Sequence, residues 1–185
     1  MAPPRLWEVH SGSDAEGGRP VRTAAPARHR LTRALVRAPI LVYRCGLGWI
    51  FGRRLVLLTH VGRTTGRPRR VVLEVVGRGP VAGSYVVASG YGRRAQWFRN
   101  VVAHPEVTYQ VGRRRRDGWA YPLPSDESGR LLAEYAVRRP RTAAALMRML
   151  DRNLDGSSAA YQRLGADAEQ GVPLVLLSPT PRPST

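Results

Sequence analysis

The sequence predicts a mainly β α+β fold, a small mixed barrel of six strands with short helices between them. Three observations lead there. Apolar, β-branched runs of strand length recur from residue 55 onward, turns containing Gly or Pro separate them, and no βαβ alternation of a doubly wound sheet is visible. A chain of 185 residues fits one domain with a single closed core.

Taken in order, residues 1–29 carry Pro, Gly, Ser and Arg with little apolar periodicity and read as a disordered basic tail. A single domain is expected over 30–180. It begins with a helical segment in which Leu31, Leu35 and Ala38 recur at helical spacing until Pro39 limits it. Residues 40–51 are the most apolar stretch, too short to span a bilayer (roughly 20 residues are needed) and interrupted by Arg44. Two readings stand for it. It is either a helix that closes a barrel mouth or packs in a dimer, or an interfacial helix with Tyr43, Trp49 and Phe51 at the headgroups.

Strand signals then follow at 55–59 and 71–76, joined as a hairpin, and at 85–89. A helix over about 94–103 stops before Pro105. Strands 106–111 and 117–122 flank a solvated tip of arginines at 113–116. Ser125 suits a helix N-cap, with Asp126 and Glu127 in the first turn. Pro140 ends that helix, and 143–150 starts another. Residues 151–171 read as loop with one helical turn, and 172–177 as the last strand.

The formal charge is +17, and all 30 basic residues are arginine. So large an excess suits a phosphate ligand, an acidic partner or a membrane surface. No nucleic-acid motif accompanies it, so no specific nucleic acid is expected as a partner. The single Cys45 and four scattered histidines offer no metal-ligand spacing. Residues 1–29 show no secretory pattern, so the expected location is cytoplasmic, or peripheral at the inner face of the plasma membrane if 40–51 is interfacial.

Two segments carry chemistry. Residues 62–70 read Gly-Arg-Thr-Thr-Gly-Arg-Pro-Arg-Arg: glycines allow close backbone approach, threonines donate hydroxyls, and arginine forks suit phosphate or carboxylate. A solvated hairpin tip is the plainer alternative. The loop precedes a strand and lacks the Gly-Lys-Ser/Thr ending of a phosphate-binding Walker loop. Residues 88–100 take a strand end through Ser89-Gly90-Tyr91-Gly92 into a helix with Gln96, Trp97, Phe98 and Asn100. Exposed backbone N–H groups there suit a planar heterocycle. The plainer alternative makes Trp97 and Val101 the core face of an ordinary helix.

The order of these pieces resembles the F420-dependent nitroreductase-like, or deazaflavin-dependent, oxidoreductases. The chain has Leu57-Leu58-Thr59, the 62–69 loop, Val87-Ala88-Ser89, Trp97-Phe98-Arg99-Asn100, His104-Pro105-Glu106-Val107 and a closing Val172-Pro173-Leu174-Val175-Leu176, so the likeness covers roughly 50–180. The resemblance implies a split β-barrel of the flavin-reductase/pyridoxamine-phosphate-oxidase-like type and hydride transfer from reduced coenzyme F420 to a quinone-like or nitro acceptor. FMN is the alternative cofactor. The resemblance places the phosphate and oligoglutamate end of F420 against Arg63, Thr64, Thr65 and Arg69, and lines the groove with Arg70, Val71, Val72, Leu73 and Glu74. Val87, Ala88, Ser89 and Gly90 lie along the ring, with Gln96, Trp97, Phe98 and Asn100 nearby. Ser89 and Tyr91 are the candidate catalytic proton donors beside solvent, and a homodimer is implied. A non-catalytic basic module, binding membrane surfaces or nucleic acid, is the rival reading.

Overall fold

The structure is a computed structural model that describes Gly52 and residues 54–181. The expected tail, the helix from Arg30 and the apolar stretch 40–51 lie outside the described residues. Six strands form a closed barrel: β1 (Leu55–Val61), β2 (Pro68–Arg78), β3 (Tyr85–Ala88), β4 (Glu106–Val111), β5 (Arg114–Pro122) and β6 (Leu174–Ser178). The order around the barrel is β1-β2-β3-β6-β5-β4, with β4 pairing back onto β1 and every pair antiparallel. Helix α1 (Gln96–Ala103) lies between β3 and β4; α2 (Ser125–Arg138), α3 (Pro140–Met149) and α4 (Ser158–Ala166) lie between β5 and β6.

The strand patterns follow from what each face meets. On β4, Val107, Tyr109 and Val111 point into the barrel while Glu106, Thr108 and Gln110 alternate outward. On β3 and β6 the apolar run is continuous because both faces are buried. Val87, Val175 and Leu177 join the barrel core, whereas Val86, Ala88 and Leu174 join a second core under α2, α3 and α4. Helix α1 adds Trp97, Phe98 and Val101 to the barrel core and so closes the end where β1 finishes and β2 begins.

Several boundaries differ from expectation. β2 starts at Pro68, so Arg69 and Arg70, expected in the loop, pair with His60 and Thr59. β5 starts at Arg114: the arginines are exposed as expected, but Gly112 (φ 59) and Arg113 alone make the turn. Ser125 is the first helical residue and not the N-cap; Pro124 holds that position without a side-chain cap. Pro140 opens α3 in its first turn, where its missing N–H costs nothing. The expected loop at 151–171 holds nine-residue α4, whose N-cap Ser157 accepts from the Ala160 N–H.

Candidate functional site

A cleft of about 660 Å³ opens between the β1–β2 loop and the segment leading into α1. Its lining includes Arg63, Arg69, Arg70 and Arg94, the hydroxyls of Thr64 and Thr65, the amides of Gln96 and Asn100, and the rings of Tyr91 and Trp97. No carboxylate is among these lining residues, and among the described residues the four arginines make no ion pair. Four guanidinium groups and no carboxylate give the cleft a strongly positive lining.

The loop holds its shape through its own backbone. The Gly62 N–H donates to the Arg67 carbonyl at 2.9 Å, and the Gly62 carbonyl accepts from Gly66 at 2.8 Å and Thr65 at 3.2 Å. A side chain at 62 would place its Cβ 3.0 Å from Thr65 Oγ1 and 3.3 Å from the Arg67 carbonyl. Gly66 sits at φ 64, in the left-handed region that glycine adopts without a steric cost.

The loop is fastened to α1 by one buried amide. Asn100 Oδ1 accepts from the Arg63 backbone N–H at 3.2 Å and from Arg63 Nη1 at 2.9 Å. Arg63 Nη1 also donates to Gln96 Oε1 at 3.0 Å. Asn100 Nδ2 lies 3.2 Å from His60 Nδ1. Burial pushes the His60 imidazole below its ordinary value, and Arg69 pushes the same way against a backbone hydrogen bond at Val61. A neutral ring with an unprotonated Nδ1 is the tautomer that accepts from the amide.

The turn before α1 is tied as firmly. Ser89 is fully buried, and its hydroxyl donates to the Gly92 carbonyl at 2.8 Å. Gly92 (φ 67) returns its N–H to the Ser89 carbonyl at 2.8 Å. Gly90 lies under Leu150, whose side chain would stand 2.8 Å from an added Cβ.

The predicted residues therefore fall into two groups. Arg63, Thr64, Thr65, Arg69, Arg70, Val71, Tyr91, Gln96, Trp97 and Asn100 meet at the cleft. Val72, Leu73, Glu74, Val87, Ala88, Ser89, Gly90 and Phe98 are not among its lining residues. Leu73, Val87 and Phe98 are inside the barrel, Ala88 faces the helices, and Glu74 accepts from the Tyr135 hydroxyl of α2. Trp97 is both core and wall, at 8% exposure. His60 and Arg94, not among the expected site residues, also line the cleft. The signal for His60 was its place between Thr59 and the glycine loop.

With this geometry in place, the model of the F420H(2)-dependent quinone reductase family matches residues 42–154. The chain belongs to this family. It is a deazaflavin-dependent reductase, and coenzyme F420 is its cofactor. Solved structures similar to this reductase include an F420-H2-dependent reductase, FDR-A, at 24% identity and TM-score 0.45, covering 69% of this chain and 96% of that one. A pyridoxamine 5'-phosphate oxidase-related, FMN-binding protein from Nostoc punctiforme matches at 20% identity and TM-score 0.44, over 85% of this chain and 82% of that one. A structure described as an F420 reductase matches at 18% identity and TM-score 0.41, over 70% and 89%. No curated protein matches the chain. Among the described residues, no helix is long and apolar enough to cross a membrane.

Proposed function

We propose that the four-arginine cleft binds the phosphate and oligoglutamate end of F420 and that the reductase passes a hydride to a quinone-like acceptor. The observation that carries this reading is a cleft with four guanidinium groups, two threonine hydroxyls and no carboxylate. Arg63 spends Nη1 on two amide oxygens, which leaves Nε and Nη2 to grip an anion as a fork. Arg69, Arg70 and Arg94 supply further charge, and Thr64 and Thr65 supply hydroxyl donors. The bound reduced deazaflavin supplies the hydride; the protein orients it and excludes water. Val71, Ala95 and Trp97 give the cleft an apolar wall, and exposed Tyr91 stands at its rim. That wall suits a flat, weakly polar acceptor.

Titration of the purified protein with F420, followed by fluorescence, tests the site. The double variant Arg63→Ala/Arg69→Ala is expected to bind at least about 100-fold more weakly, since each lost charge-assisted bond is worth about 1.5–3 kcal/mol. Wild-type affinity in that variant would refute the site. Oxidation of F420H2 with a short-chain naphthoquinone and a nitroaromatic, run side by side, decides the acceptor: a higher kcat/KM for the quinone is expected.

Two finer expectations accompany this reading. Peripheral contact with an anionic membrane is supported by the exposed arginines 113–116, at the barrel end near Gly52 and away from the cleft. Co-sedimentation with anionic but not neutral vesicles is the expected result. A homodimer is the second, checked by sedimentation equilibrium.

A further inference from the structure

The imidazole of His60 lines the cleft, and its Nδ1 faces the amide that holds Arg63. Asn100 has one oxygen and one nitrogen, and both are committed. Its Oδ1 takes two donors from Arg63, so its Nδ2 must face His60 Nδ1 at 3.2 Å. His60 and Asn100 are both buried, at 4% and 6% exposure, so breaking this bond leaves two poorly hydrated polar groups. If the amide turned over, Nδ2 would face the two Arg63 donors and the loop would keep only its bond to Gln96 of α1.

We propose that His60 is a positioning residue for cofactor binding: by accepting from Asn100 it sets the amide's orientation and thereby holds Arg63 in the cleft. This inference rests on the proposed reading of the cleft as the site for the anionic end of F420. The chain of influence is three residues long, from β1 through α1 to the loop. The groups facing His60 are Arg69, its cross-strand partner on β2; Asn100 of α1; Arg63 of the loop; and, across the hollow on its other side, Glu106 of β4 and Asp117 of β5. Protonation at Nδ1 would set a donor against a donor. Affinity for F420 then falls as the pH drops below the ordinary histidine range, where the imidazole acquires its second proton.

The test is a set of F420 titrations on the intact protein at several pH values, for wild type, His60→Leu, His60→Asn, Arg63→Ala and the double variant His60→Leu/Arg63→Ala. His60→Leu removes the acceptor and is expected to weaken binding about 10-fold, the worth of one buried hydrogen bond. His60→Asn keeps an acceptor near Nδ1 and is expected to restore most of that affinity while losing the acid-side weakening. In the double variant His60→Leu should add little to the loss from Arg63→Ala, because the residue it positions is gone. Full additivity would overturn the proposal, as would a His60→Leu protein that binds like wild type. Wild-type binding by Arg63→Ala would instead refute the cleft reading itself, so the two failures are distinct. If His60→Leu does not fold, His60→Asn carries the test: an acid-side weakening as large as in wild type overturns the proposal.

Discussion

The Tyr135 hydroxyl donates to Glu74 Oε1 at 3.0 Å, tying α2 to the outer face of β2. Glu74, expected along the cofactor groove, lies at the seam between barrel and helices. Burial raises the Glu74 carboxyl above its ordinary value, against the pull of Tyr135, Arg54 and Arg139. The folded state thus holds that proton more tightly than the unfolded chain does. Its stabilising effect is complete below the ordinary glutamate range and is lost as pH rises through the raised folded value. Urea unfolding of wild type and Glu74→Gln between about pH 4 and pH 7 is the check. The stability difference should move in favour of the glutamine variant as pH rises, and F420 affinity should not change; a flat difference would contradict the assignment.

Ser89 is expected to shape the turn rather than move protons. Its hydroxyl is fully buried and committed to Gly92. Ser89→Ala should cost about 1 kcal/mol, lowering Tm by about 3 °C. At saturating F420H2, kcat should stay within about twofold, whereas loss of a general acid would cost about 100-fold or more. Steady-state kinetics beside a thermal melt separates the two.

F420 binding should depend on ionic strength in proportion to the cleft's charge. Raising NaCl from about 0.05 to 0.5 M is expected to weaken wild-type binding about 10-fold, because the screening length falls from roughly 14 to 4 Å. The Arg63→Ala/Arg69→Ala variant should show a shallower slope. Equal slopes would place the anion elsewhere.

Helices α2 and α4 touch through glycines. A Cβ at Gly165 would stand 2.6 Å from the Ser128 carbonyl and 2.8 Å from Gly129 Cα, backbone that cannot swing aside. Gly165→Ala is expected to destabilise by about 2 kcal/mol in urea unfolding. No cleft residue comes from either helix, so F420 affinity of the folded fraction should be retained.

That contact also explains where the sequence misled. Glycines in 151–171 suggested loop, since glycine weakens an isolated helix; here Gly165 buys close approach to α2. The barrel strands were legible because their apolar runs face one core or two, as on β3 and β6. The start of β2 was not, because Arg69 and Arg70 sit where the barrel rim meets solvent and hydrophobic alternation fails. Likewise Val87 and Ala88 are neighbours of one type, and only the fold shows that one enters the barrel while the other meets the helices. The arginine-rich loop was readable as a turn from its residue types. The His60–Asn100 bond, spanning 40 residues, was not, for it exists only once α1 folds back on β1.

The cleft's cations are all guanidinium groups, and the chain contains no lysine. Reagents that acylate or reductively alkylate side-chain amines therefore find nothing to label there, and acetylation is not a route to discharging the site. Dicarbonyl compounds, which condense with guanidinium groups, do have a target. Protection of Arg63, Arg69, Arg70 and Arg94 from such labelling, residue by residue, would trace the outline of whatever anion occupies the cleft.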